Sequence, residues 1–175
     1  MDDGLKEIII ESDTFLDFHS VISGFRKVGL ISLIENSSNS YYNKKYGKNI
    51  PVFEKQVEIV KEYLLEKRFE GEFFEAWNHL YFLAHNSKIY DCKQVLSKYK
   101  NPVSTKNGEK ELGLLLNFPS CCVTAHITDE DIGRHEPFYV YPFAPCKEEC
   151  ILPWKQEYEK LAKKYNIDIT KRIIK

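Results

Sequence analysis

Four of the five cysteines stand within one thirty-residue window: Cys121, Cys122, Cys146 and Cys150. They form two unlike pairs, a vicinal pair in Phe118-Pro119-Ser120-Cys121-Cys122 and a Cys-x3-Cys pair in Pro145-Cys146-Lys147-Glu148-Glu149-Cys150. Thiolates are both nucleophiles and soft metal ligands, so such clustering points to metal binding or thiol chemistry. An odd total of five cysteines fits a complete disulfide framework poorly. The start Met1-Asp2-Asp3-Gly4 has neither a basic n-region nor an apolar h-region, which argues against a secretory signal. The expected location is cytoplasmic, where thiols stay reduced and clustered cysteines bind metal or carry redox chemistry.

Spacing narrows the chemistry. Cys146 and Cys150 reach a common centre either across one helical turn or inward from a loop. Adjacent cysteines point to opposite faces of a strand, and on a helix they diverge by about 100°. Placing Cys121 and Cys122 on one tetrahedral zinc is therefore expected to require an irregular backbone. A polynuclear iron–sulfur cluster offers several metal atoms and takes both sulfurs more easily, so the pattern leans toward a cluster over zinc. Helix N-termini after Pro119 and Pro145 would supply the positive surroundings that thiolates need.

The pattern matches neither a CxxC zinc ribbon nor a thioredoxin CxxC, and it lacks the third cysteine of CxxxCxxC. His126 and His135 lie between the pairs, and His126 is the additional candidate ligand. With Asp129, Glu130, Asp131 and Glu136 these histidines form an alternative His/carboxylate metal set, against the plainer reading of a charged turn with surface histidines. A thiol enzyme, with one vicinal cysteine as nucleophile and another resolving it, is the second class of function. An interaction module with merely packed cysteines is the third. Cys92, on an apolar helix face, reads as core. His19, His79 and His85 read as structural residues of helices. No HExxH, phosphate-binding loop, GxGxxG or GxSxG is present, so the common hydrolase and nucleotide-binding readings have no support.

These residues need elements to position them. A chain of 175 residues with 43% hydrophobic content suits one domain over 1–175. A net charge of −1 gives no overall pull toward nucleic acid. The segment from Lys155 to Lys175 is locally basic, with seven Lys/Arg against Glu157, Glu159 and Asp168, and reads first as a solvated helix face. No apolar run approaches the roughly 20 residues of a membrane span. Substrate, partner and oligomeric state leave no signal.

The expected class is α+β: a mainly helical N-terminal half, with short strands and helices around the cysteine-rich C-terminal part. Helical spacing marks the segment around Phe15 to Phe25, then Phe53 to Phe69 with Gly71 as its stop, Glu72 to Ala84, and Ser87 to Tyr99 capped by Asn86 or Ser87. Further helices are expected from Glu109 to about Leu116 and from Trp154 to Tyr165, the last with Pro153 in its first turn. Val123 to Ile127 is helix or strand. Ile8 to Ile10, Leu30 to Ile34 and Phe138 to Tyr141 are candidate strands, Asp129 to Gly133 a turn, and 36–48 a mobile loop.

The run Leu112-Gly113-Leu114-Leu115-Leu116-Asn117-Phe118-Pro119-Ser120-Cys121-Cys122-Val123, followed by Pro142-Phe143-Ala144-Pro145-Cys146 and Cys150, resembles the signature of domain of unknown function 483, an uncharacterised and mainly archaeal family. The likeness spans about residues 109–165. It implies a small α+β domain of archaeal origin whose signature positions here are Cys121, Cys122, Cys146 and Cys150, and it implies no reaction. Asn117 stands where that family carries Gly, which would change the backbone angle before Phe118. Ala125-His126 replaces an aromatic residue.

Overall fold

The computed structural model describes residues 12–33, 52–77, 80–128 and 145–167. Among them the chain forms α1 (Ser12–Ile22), β1 (Val28–Ser32), α2 (Val52–Glu66), β2 (Gly71–Trp77), β3 (Leu80–His85), α3 (Ile89–Lys98), α4 (Lys106–Leu115), α5 (Ser120–Thr128) and α6 (Leu152–Tyr165). Short 3-10 turns at Asn86–Lys88, Pro102–Ser104 and Glu148–Cys150 join them. The class is α+β, with six α-helices and a three-stranded antiparallel sheet among the described residues.

The sheet order is β1-β3-β2, so β3 is central, pairing Ile31 with Tyr81 on one side and Phe73 with Leu83 on the other. Alternate side chains face opposite layers, as a pleated strand requires. Tyr81 and Leu83 join Phe15, Phe18, Val21, Val60 and Tyr63 of α1 and α2. Phe82 and Ala84 join Cys92 of α3 and Leu112 and Leu116 at α4. Helices therefore cover both faces. A third cluster sets Trp154, Tyr158, Leu161 and Ala162 of α6 against Leu16 of α1.

One expected element is overturned. Residues 72–84 form the β2–β3 hairpin, not a helix. Phe73, Trp77, Leu80, Tyr81 and Ala84 happen to recur at helical steps, but aromatic residues also suit strands. β3 is buried on both faces, so its apolar run carries no alternation that would give it away. Gly71 is not a helix stop either. It opens β2, where a β-carbon would run into the Ala84 carbonyl. The actual stop of α2 is Arg68 at φ 53°, with Phe69 N–H bonded to Leu64 O at 2.9 Å and Arg68 N–H to Leu65 O at 3.0 Å.

The other helices hold within a turn of expectation, and β1 fills the candidate strand near Leu30. Neither Asn86 nor Ser87 caps α3 with its side chain; Thr105 caps α4, its hydroxyl accepting from Gly108 N–H at 3.0 Å. His85 ends β3 with Nε2 2.9 Å from Val21 O. His19 is buried in α1, its ring 4.0 Å from that of Tyr165. On the basic C-terminal stretch, Lys155, Lys160, Lys163 and Lys164 are exposed on α6, and Lys160 pairs with Glu157 at 3.3 Å. Ile8 to Ile10, the 36–48 loop, His79, the Asp129 to Gly133 turn, His135, Glu136, the Phe138 to Tyr141 strand and residues 168–175 lie outside the described residues.

Candidate metal centre

The first cysteine pair is delivered by the corner between α4 and α5. α4 ends at Leu115 with Leu116 as its C-cap, and Asn117 takes φ 65°, a left-handed conformation that Asn tolerates nearly as Gly does. Phe118 N–H then reaches back to Gly113 O and Asn117 N–H to Leu114 O, both at 3.0 Å, closing the helix end. A non-glycine residue thus holds this turn. Gly113 has its own reason. A β-carbon there would stand 3.0 Å from Val123 Cγ2, so its absence lets α5 lie close on α4.

Pro119 O accepts from Cys122 N–H at 2.9 Å and Val123 N–H at 3.0 Å, starting α5 at once. Cys121 and Cys122 thus occupy the first turn of a regular helix, not the irregular backbone that vicinal ligands were expected to need. Their divergence around the helix separates their environments: Cys121 is exposed and Cys122 is 2% exposed. The second pair comes from the segment entering α6. Cys146 follows buried Pro145 in a bend, and Cys150 ends the 3-10 turn Glu148–Cys150. Pro153 lies in the first turn of α6, as its missing N–H favours.

The two segments meet sulfur to sulfur. Cys121 Sγ lies 3.4 Å from Cys150 Sγ, Cys122 Sγ 3.5 Å from Cys146 Sγ, and Cys146 Sγ 3.9 Å from Cys150 Sγ. All four ligand atoms fall within 4.8 Å of one another, and no other His, Asp or Glu among the described residues joins them. His126 is exposed on α5, outside this group. Cys146 N–H donates to Cys122 Sγ at 3.3 Å, the kind of backbone donor that stabilises a thiolate.

Electrostatics differ across the four. Hydrogen bonds from the Cys150 and Cys146 thiols hold the Cys121 thiol below its usual range. Burial pushes Cys122 well above that range and Cys150 up to about 11. Four thiolates this close repel one another in the absence of a cation. A soft divalent ion at their centre would remove that repulsion and satisfy all four at once.

A residue with no sequence signal joins the segments that flank the cysteines. Arg26 is fully buried, its Nη1 2.9 Å from Asp17 Oδ1 and its Nη2 donating to Leu116 O at 3.2 Å. Its guanidinium carbon sits 5.0 Å from the Trp154 ring centre and 5.5 Å from that of Phe118. Between Gly24-Phe25 and Lys27, an arginine reads as one more surface charge. Cys92 is buried in the core as expected, and burial lifts its thiol to about 12.

No helix among the described residues is long and apolar enough to cross a membrane. Comparison with protein-family models, with curated proteins and with solved structures gives no match to this chain.

Proposed function

We propose that Cys121, Cys122, Cys146 and Cys150 bind a single zinc ion as a structural centre that fastens the start of α6 to the α4–α5 corner. The observation that carries this reading is the sulfur spacing. A tetrahedral ion with Zn–S bonds of about 2.3 Å sets its sulfurs about 3.8 Å apart. The contacts of 3.4, 3.5 and 3.9 Å bracket that value. An iron–sulfur cluster divides its four thiolates among two or more irons and spreads them wider than the 4.8 Å that contains all four sulfurs here. The spacing therefore favours the mononuclear ion over the cluster that the vicinal pair suggested.

Four protein ligands leave no open position for substrate or water, which is the mark of a structural rather than a catalytic zinc site. Thiolate ligands require a reducing compartment, in keeping with a cytoplasmic protein. Elemental analysis of the purified protein tests the proposal: one zinc per chain supports it, and its loss in a Cys146→Ser/Cys150→Ser variant assigns the ion to this site. Metal-free protein with four titratable thiols contradicts it.

One observation favours a second reading, thiol redox chemistry. Cys121 is exposed and has Cys150 3.4 Å away as a resolving partner. It predicts metal-free protein in which Cys121 alkylates far faster than the other cysteines.

A further inference from the structure

The two cysteine pairs lie 24 residues apart in sequence, counted from Cys122 to Cys146, and something must fix the distance between their segments before an ion can bridge them. The ion alone does so only at the cost of ordering both segments on binding. A preformed brace would remove that cost. Phe118 stands three residues before Cys121, and Trp154 four residues after Cys150. Their rings are 5.9 Å apart, and both lie against the guanidinium of one buried arginine.

We propose that Arg26 is the positioning residue of the metal centre. This inference rests on the metal-binding reading above. The guanidinium makes three kinds of contact, two to the segments that flank the cysteines and one to α1 in the core. Nη2 bonds to the Leu116 carbonyl, one of the acceptors left open at the end of α4, where a cation also suits the helix dipole. Its cationic carbon lies over the ring of Phe118 on the α5 side and over that of Trp154 on the α6 side. Nη1 pairs with Asp17 of α1, whose Oδ1 also accepts from Tyr158 O–H of α6. Phe25 adds an edge contact to Trp154 at 5.3 Å.

Arg26 is thus anchored to the core through α1 and grips both cysteine-bearing segments. Lysine would keep the charge but lose the planar fork that bonds in two directions at once. Methionine would keep the bulk and lose both.

The test measures zinc affinity of the full chain by competition with a chromogenic chelator, together with the visible spectrum of the cobalt-substituted protein. Arg26→Lys, Arg26→Met and Phe118→Leu are compared with Leu83→Ala, a core change in β3 on the far side of the sheet from α4. The expected result is an affinity loss of about tenfold or more in Arg26→Met, as for a removed supporting contact to a ligand. Smaller losses are expected in Arg26→Lys and Phe118→Leu, with altered cobalt bands in all three. Leu83→Ala should bind zinc as wild type does despite its lower melting temperature.

Where Arg26→Met does not fold, Arg26→Lys and Phe118→Leu decide the matter. Unchanged affinity and spectra in the folded Arg26 and Phe118 variants would overturn the positioning role alone. So would affinity losses that track melting temperature equally in Leu83→Ala. A wild-type chain that takes up neither zinc nor cobalt would overturn the metal reading and this inference with it.

Discussion

Cys121 and Cys122 are neighbours in sequence and opposites in environment, one exposed and one buried, while Cys92 shares the burial of Cys122 but lies outside the four-sulfur group. The residue types and spacing made the cluster legible without coordinates. What they left open was whether a regular backbone could present a vicinal pair, and the first turn of α5 does so by matching each member to a different cysteine of the second pair. Arg26 was not legible, because burial of a charge depends on its partners, and Leu116, Phe118 and Trp154 are remote in sequence. After chelation, iodoacetamide at pH 8 should modify exposed Cys121 first and spare Cys92, which is fully buried with its thiol raised to about 12; mass spectrometry of the intact protein reads the order and the count, and the zinc-loaded protein should react far more slowly at Cys121. Tyr158 offers a pH test. Burial, with the Asp17 carboxylate beside it, holds its hydroxyl well above the ordinary 10.0. Unfolded chains release that proton near pH 10 while the native state keeps it, so this contribution is complete below pH 10 and falls as the pH rises further. Tyr158→Phe should cost about 2 kcal/mol at neutral pH, the worth of a hydrogen bond to a charged group, and denaturation curves from pH 8 to 11 should lose less stability than wild type does.

At the scale of elements, the helices were readable where one face is apolar and the other wet, as in α2 and α6. The β2–β3 hairpin was not, because a central strand buried on both faces shows no alternation and its aromatic residues fell at helical intervals. Gly71 marks the difference. As a helix stop it would tolerate replacement at modest cost, whereas at the start of β2 it lies against the Ala84 carbonyl. Gly71→Ala should therefore destabilise by about 3 kcal/mol, the scale of an overpacked site, visible as a lower urea midpoint with an unchanged slope. Gly113→Ala should act differently. Helix propensity favours alanine by about 1 kcal/mol, but its β-carbon would stand 3.0 Å from Val123 Cγ2. The net effect should be a shift of α5 felt as weaker metal binding, read by chelator competition.

At the scale of the whole molecule, helices among the described residues cover both faces of the sheet, α6 docks on α1 through Trp154, Tyr158 and Leu161, and the four cysteines meet at the start of α6. An ion that binds only the folded state stabilises it by mass action, about 4 kcal/mol at a thousandfold excess over its dissociation constant. For a chain of this size that corresponds to a rise of about 10 °C in melting temperature. Calorimetry with and without a strong chelator should show that difference in wild type and none in Cys146→Ser/Cys150→Ser. The central claim is tested most directly by metal analysis with an absorption spectrum, on protein purified anaerobically. The account predicts one zinc per chain, no iron and no visible band. Metal-free protein with four free thiols, or stoichiometric iron with a broad visible band, would contradict it.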